Sequence, residues 1–373
     1  MIKEYTSLGL MSGTSADGID ASIIQSDGDS YYKVIKDKYF EYSEEIYQNI
    51  HNLREKIQNI NDLKNFDKEI VILEREITLF HSRVIKEISE NQKIDIVGFH
   101  GQTIYHNPQE KISKQLGDGN LLSQLTKKNI VYNFRQNDIE NDGEGAPLTP
   151  IFHQLLASQY NIGLPVCILN IGGISNITIV KEPTGSSGFT SRDIGPGNCM
   201  IDAWVRKNSN QSFDKDGILA SKGTRNVIIY EQGQELFSNR PNQNISSLDV
   251  NDFDVSFARG LSLEDGASTL TDLTSNIIGA TLSSLLLKEK KKFLKVLICG
   301  GGRKNHILID KIKENSSKDI AFLPIDDCGV DGDFIESQAF AYLAARSENK
   351  LPITLPETTG VSNPMSSGEV KKV

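Results

Sequence analysis

The sequence predicts a two-lobed α/β protein, and three observations carry that expectation. Its 373 residues suit two domains at about 100–200 residues each, with length enough for two buried cores. A strand, a turn of glycine and small hydroxyl residues, and a second strand occur at residues 8–25 and again at 169–180. Between the copies, Phe66, Ile70, Leu73, Ile77, Phe80, Val84 and Ile88 recur at steps of four and three, the spacing of one face of a long helix.

Taken in order, residues 8–10 and 18–25 read as strands, and residues 31–42, rich in β-branched and aromatic side chains, add a third to make a meander. The helical face of residues 66–88 is assigned to core packing. Residues 94–99 then form a short apolar run suited to a buried parallel strand, which ends in His100, Gly101, Gln102 and Thr103. The second copy reads Leu169, Asn170, Ile171, Gly172, Gly173, Ile174, Ser175, Asn176 and runs into a strand over 177–180. A third glycine turn, Gly300, Gly301 and Gly302, lies between an apolar strand at 294–298 and a helical pattern at 307–312. Strand, glycine turn and helix N-terminus together make a good seat for an anion. Residues 333–346 read as a helix from the spacing of Phe334, Phe340 and Leu343, and the tail from Thr354 onward reads as loop.

Composition removes several classes of function. Asp and Glu outnumber Lys and Arg, 49 to 40, for a formal net charge of -9, which argues against a broad basic surface for nucleic acid. The basic run at 288–292 follows an apolar stretch and reads as the solvated end of a buried helix, where cations suit the dipole. Cys167, Cys199, Cys299 and Cys328 lie far apart without a CxxC pair, so reduced thiols are expected rather than a zinc site or a disulfide framework. The first residues lack an apolar signal core, and no uninterrupted apolar run reaches about 18 residues, so neither secretion nor membrane spanning is expected.

Turns of Gly, Ser and Thr let a polyanion such as a nucleotide phosphate approach backbone N–H groups, although each alone is equally a tight hairpin. Asp17 and Asp20 follow the first turn, where one of them can orient water around Mg²⁺; both can equally cap the turn. Asp193 opens a Gly/Pro-rich bend, Asp193-Ile194-Gly195-Pro196-Gly197-Asn198, and is a candidate general base or a turn residue. Arg135, with its planar fork, suits a substrate carboxylate, or else a surface ion pair with Asp138. Neither a Walker A spacing, an HExxH pair nor a GxSxG elbow occurs.

The run Gly9-Leu10-Met11-Ser12-Gly13-Thr14-Ser15-Ala16-Asp17-Gly18-Ile19-Asp20 resembles the N-terminal phosphate motif of the anhydro-N-acetylmuramic acid kinases. The resemblance continues in the family's order through His100-Gly101-Gln102-Thr103, Gly143-Glu144-Gly145-Ala146-Pro147-Leu148, Asn170 to Asn176, Asp193 to Asn198, Thr269-Leu270-Thr271 and Gly300-Gly301-Gly302, over nearly the whole chain. It implies an α/β, two-lobed actin-like ATPase fold of ribonuclease H-like duplicated domains with a central cleft, divided as residues 1–133 and 134–373, the last helix packing back on the first lobe. The implied activity opens the 1,6-anhydro ring of the sugar with water and phosphorylates O6 with ATP and Mg²⁺, giving N-acetylmuramic acid 6-phosphate and ADP.

By the same resemblance Asp193 is the base that activates water. Gly13, Thr14, Ser15, Ala16, Asp17, Gly18, Ile19 and Asp20 carry the first ATP-phosphate site, with Asp17 near the metal through water. Asn170, Gly172 and Gly173 form the second phosphate loop, and Gly300, Gly301 and Gly302 the adenosine loop. Gln102, Thr103, Arg135, Asp138 and Glu336 are the implied substrate contacts, with Arg135 on the lactyl carboxylate. A cytoplasmic homodimer in murein recycling is also implied. The sequence departs from the family pattern at Asn133, at Ile194 and in the acidic stretch Glu140, Asp142 and Glu144. A non-enzymatic nucleotide-binding module and a kinase of another sugar are the alternatives.

Overall fold

The computed structural model describes residues 2–239, 247–288 and 293–373; of the basic run after Lys288, residues 289–292 lie outside the described residues. The chain divides into two compact units, Met1–Ile162 with Glu182–Ser191 and Asp333–Val373, and Gly163–Lys181 with Arg192–Gly332.

The first unit opens with β1 (Tyr5–Ser12), β2 (Gly18–Ser26) and β3 (Tyr32–Glu41), then α1 (Glu44–Lys56), α2 (Ile60–Asn65) and α3 (Asp67–Ile88). It continues with β4 (Ile96–Asn107), β5 (Ile112–Leu116), α4 (Gly119–Thr126), β6 (Asn129–Tyr132), α5 (Gln136–Glu140) and α6 (Pro150–Gln159). The second unit contains β7 (Val166–Ile171), β8 (Ile174–Val180), most of β9 (Phe189–Pro196), α7 (Cys199–Asn208), α8 (Ile218–Lys222) and α9 (Val227–Ser238). It ends with α10 (Leu263–Lys288), β10 (Leu294–Cys299), α11 (His306–Glu314) and β11 (Ile320–Pro324). The chain then returns to the first unit as α12 (Ile335–Glu348), α13 (Pro356–Thr359) and β12 (Glu369–Lys371).

The two sheets repeat one topology. In the first, the order β3-β2-β1-β4-β6 joins an antiparallel meander to two parallel strands, with β12 on the far edge and β5 paired to β4. In the second, β9-β8-β7-β10-β11 does the same, with β7 antiparallel to β8 and parallel to β10. The parallel strands β7 and β10 are buried along almost their whole length, which is why they read as continuous apolar runs. The duplicated α/β fold expected from the two strand–turn–strand copies is therefore present.

The seat of α12 depends on two glycines that face each other across the parallel β1–β4 pair, Gly9 and Gly98. A Cβ on Gly9 would stand 1.9 Å from Ser337 O, and one on Gly98 would stand 2.2 Å from Phe340 O, so the helix backbone rests directly on the strands. On the opposite face Ile70, Leu73, Ile77, Val84 and Ile88 of α3 join the core of the unit, with Phe66 and Phe80 partly buried beside it. In the second unit α10 is long and apolar enough by length and composition to cross a membrane, but 67% of that window is buried. Its Ile278, Leu282 and Leu285 pack with Val296 and Ile298 of the sheet.

Several expectations need correction. Residue 133, the expected lobe boundary, falls inside the first unit. The following segment stays there because Phe134 packs on Phe340 at 5.2 Å and Phe152 on Tyr32 at 4.9 Å between ring centroids. Strand β4 does not end at Phe99 but runs to Asn107, since β5 pairs back on residues 102–107. The tail is not all loop: β12 pairs antiparallel with β6. Asp193 sits in a strand, β9, rather than in a free bend.

Candidate active site

In the first unit, β1 and β2 pair in register from Tyr5↔Ser26 to Met11↔Asp20, and residues 13–17 close the hairpin. Ala16 is fully buried with a left-handed φ of 55°, and its N–H donates to Gly13 O at 3.2 Å. Other side chains hold the turn's carbonyls. Gln102 Nε2 donates to Gly13 O at 3.0 Å, Arg54 Nη1 to Thr14 O at 2.6 Å, and His51 Nε2 to Ser15 O at 3.0 Å. Asp17 is exposed and accepts from Ser15 Oγ at 2.7 Å, the capping role that short acidic side chains take in turns. Gly18 and Ile19 are buried, the glycine because a Cβ would meet Phe40 O at 2.4 Å. Asp20 is half-buried, two residues before Ser22 and on the same face of β2. Ser22 Oγ lies 2.6 Å from Ser337 Oγ in the first turn of α12, so this strand face meets the turn that carries half-buried Glu336.

Gln102 is fully buried behind the turn. Its side-chain carbonyl lies within reach of the Ser12 hydroxyl, which also lies 2.9 Å from Gly18 O and can donate to one of the two at a time. Thr103 O receives a fork from Arg54, Nε at 3.1 Å and Nη2 at 2.8 Å, and Thr103 Oγ1 accepts from Gln115 at 3.2 Å. Sequence reasoning missed Arg54, which is 7% exposed. Its signal was an arginine on the stripe Tyr47, Ile50, Arg54, Ile57, where apolar residues are the rule.

Arg135 is oriented by two neutral acceptors. Its Nε and Nη2 lie 3.2 and 2.9 Å from His100 Nε2, and its Nη1 donates to Gly145 O at 2.8 Å. His100 Nδ1 donates to Gly101 O at 2.8 Å, which leaves Nε2 as the acceptor. Burial first, and then the Arg135 charge, hold the imidazole well below its usual range and keep it neutral. These bonds fix the plane of the guanidinium. The His100 ring packs on Phe340 at 4.6 Å, one turn along α12 from Glu336. Asp138, fully buried, accepts from Gly145 N–H at 2.8 Å and from Thr359 Oγ1 at 2.8 Å, so its carboxylate holds the 143–145 loop from within.

In the second unit three separate motifs converge. The β7–β8 turn accepts Gly197 N–H on Gly173 O at 2.8 Å and Asn198 N–H on Gly172 O at 2.8 Å, while Ser175 Oγ donates to Pro196 O at 3.1 Å. These bonds fasten the turn to the end of β9, the strand that carries Asp193. The third turn closes on the same place: a Cβ on Gly300 would stand 2.3 Å from Asn170 Oδ1, and one on Gly302 2.3 Å from Ile171 Cγ2. Asp193 is half-buried, and its Oδ2 accepts from Leu248 N–H at 2.8 Å, which sets the orientation of the carboxylate. Arg303, also missed in the sequence, braces the third turn through Gly300 O at 3.2 Å and a fork on Asp326 at 2.9 and 3.0 Å. That fork holds the Asp326 carboxyl below its ordinary range.

The profile of the anhydro-N-acetylmuramic acid kinase family matches residues 5–372. The anhydro-N-acetylmuramic acid kinase of Pelagibacter ubique is 54% identical over 100% of both chains. That of Zymomonas mobilis is 35% identical, covering 97% of this chain and 98% of its own. The chain belongs to the anhydro-N-acetylmuramic acid kinase family. Among solved structures, component A of the (R)-2-hydroxyglutaryl-CoA dehydratase of Acidaminococcus fermentans matches at 14% identity and a TM-score of 0.45, covering 92% of this chain and 99% of that one.

Within the anhydro-N-acetylmuramic acid kinase pattern, the three departures have local physical reasons. Asn133 takes a left-handed φ of 53°, which asparagine tolerates, and its Nδ2 donates to Glu369 at 2.5 Å, as an aspartate could not. Ile194 is 7% exposed and packs in the core of the second unit. In the acidic stretch Asp142 pairs with Lys111 at 2.8 Å, which offsets part of the added charge and lowers the Asp142 pKa.

Proposed function

We propose that this chain uses ATP to convert 1,6-anhydro-N-acetylmuramic acid into N-acetylmuramic acid 6-phosphate and ADP. Asp193 takes a proton from water as the water oxygen bonds to the anomeric carbon. The bond from that carbon to O6 breaks, and O6 takes the γ-phosphoryl group. The observation that carries the reading is the fastening of the Gly172–Gly173 turn to the strand of Asp193, which joins a phosphate-type turn and a candidate base in one rigid piece.

Arg135, aimed by His100 and the Gly145 carbonyl, is assigned to the lactyl carboxylate. Asp138 serves by holding the 143–145 loop, and Gln102 by holding the first turn, while Thr103 and Glu336 are assigned to the sugar. The turns at 13–17, 170–173 and 300–302 are assigned to the nucleotide. Bound with the nucleotide, Mg²⁺ neutralises charge on the phosphates. Such a cation keeps several waters and takes one or two carboxylates, so Asp17 and Asp20 suffice as its protein partners. Asp17 meets that role through water. A cytoplasmic homodimer acting in murein recycling completes the proposal.

The test is ADP release with ATP, Mg²⁺ and a choice of acceptors. The proposal predicts turnover of 1,6-anhydro-N-acetylmuramic acid and at least about a hundredfold less of glucose or N-acetylglucosamine, since a site built to pair a carboxylate rejects sugars lacking it. Equal turnover of glucose would make the chain a kinase of another sugar.

A further inference from the structure

Residues 13–17 present backbone to the site, and what decides whether a turn binds phosphate is where its N–H groups point. A trans peptide is planar, with its N–H directed opposite to its C=O. None of the cis bonds of the chain falls in this turn. Gln102 takes Gly13 O, which turns the Thr14 N–H away from β4. Arg54 takes Thr14 O at 2.6 Å, which turns the Ser15 N–H away from α1. His51, one turn earlier on the same helix and packed on the Tyr47 ring at 4.5 Å, takes Ser15 O at 3.0 Å. Two consecutive carbonyls of the turn, Thr14 O and Ser15 O, are thus drawn onto α1, the Ala16 N–H closes the turn on Gly13 O at 3.2 Å, and the Ser15 N–H is directed away from α1, where a phosphate oxygen can accept it.

We propose that Arg54 and His51 of α1 are positioning residues that set this turn for phosphate and tie it to the Gln102–Thr103 segment. This rests on the reading that the turn takes ATP. The guanidinium is planar and its donors are fixed relative to one another, so Nη1 on Thr14 O and the Nε/Nη2 fork on Thr103 O hold the two carbonyls at one separation. A lysine in its place offers three donors on one nitrogen and reaches one carbonyl well, not both. The hydrogen bond from His51 runs to Ser15 O of the turn rather than to Thr103 O, so its loss tests the turn separately from the Arg54 link to β4.

The experiment compares KM for ATP and for the anhydro sugar in wild type, R54K, R54M and H51A, together with the thermal midpoint of each with and without ATP and Mg²⁺. H51A is expected to raise KM for ATP about threefold with the apo midpoint and the sugar KM unchanged, since one exposed-side hydrogen bond is lost. R54K is expected to raise KM for ATP about tenfold, and R54M more, with the sugar KM following because Thr103 loosens. If R54M does not fold, H51A and R54K carry the comparison. KM for ATP within twofold of wild type in both would overturn the proposal. A wild type that ATP does not stabilise would instead remove the reading beneath it.

Discussion

Gly13, Gly172 and Gly301 stand apart from the glycines around them. A Cβ on Gly301 would meet nothing within 4 Å, on Gly172 only Ile174 O at 3.6 Å, and on Gly13 only Ser15 Oγ at 3.9 Å. None has a positive φ, so neither packing nor backbone conformation demands glycine at these positions. The open space beside each is what a phosphate approaching the backbone, as proposed, would need. Replacing Gly172 or Gly301 by alanine is therefore expected to leave the thermal midpoint unchanged or slightly raised, because the unfolded chain loses entropy. The same variants should raise KM for ATP about tenfold, the equivalent of about 1.4 kcal/mol. Melting curves and steady-state kinetics check both halves, and an unchanged KM would assign these glycines to something other than the nucleotide. At this scale the turns and Asp193 were legible, because glycine, small hydroxyls and a carboxylate are conspicuous in sequence. Arg54 and Arg303 were not, because their partners are main-chain carbonyls and an aspartate that lie far away in sequence.

At the scale of elements, the contact of α12 with β1 and β4 organises the first unit. Gly9 and Gly98 let the helix backbone reach the strands, and Ser337 and Phe340 then meet Ser22 and the His100 ring. Gly9→Ala places a methyl group 1.9 Å from Ser337 O and 2.4 Å from Ala341 N, both backbone atoms that cannot rotate away. It is expected to cost about 3 kcal/mol, measured by urea unfolding, and to lower kcat as the first turn of α12 shifts. Stability equal to wild type would show that the helix can lift without loss. The helix itself was legible from its alanine content and aromatic spacing; its seat was not, since an isolated glycine in a strand reads as a weakness until the partner backbone is known. The same reason hid β5 and β12. Each is short and acquires its identity from the strand it pairs with, β4 and β6.

For the whole molecule, the duplication visible as two glycine hairpins extends to complete sheets, β3-β2-β1-β4-β6 and β9-β8-β7-β10-β11. Periodicity gave the hairpins and the buried strands because local pattern suffices for them. The division of the chain was less legible. A boundary is set by long-range packing such as Phe152 on Tyr32 and Tyr342, which joins residues far apart in sequence. Each unit carries its own chemistry: the first an oriented guanidinium and a carbonyl-braced turn, the second a carboxylate on a strand bolted to a second turn. The central claim is that Asp193 activates water for ring opening coupled to phosphorylation of O6. It is tested most directly by mass spectrometry of the product formed from 1,6-anhydro-N-acetylmuramic acid, ATP and Mg²⁺ in ¹⁸O-water, with wild type and Asp193→Asn. The account predicts a 6-phosphate carrying ¹⁸O at the anomeric hydroxyl from wild type, and a rate at least about a thousandfold lower from the variant, as loss of a general base implies. A labelled product formed at an undiminished rate by Asp193→Asn, or a wild-type product without the label, would contradict it.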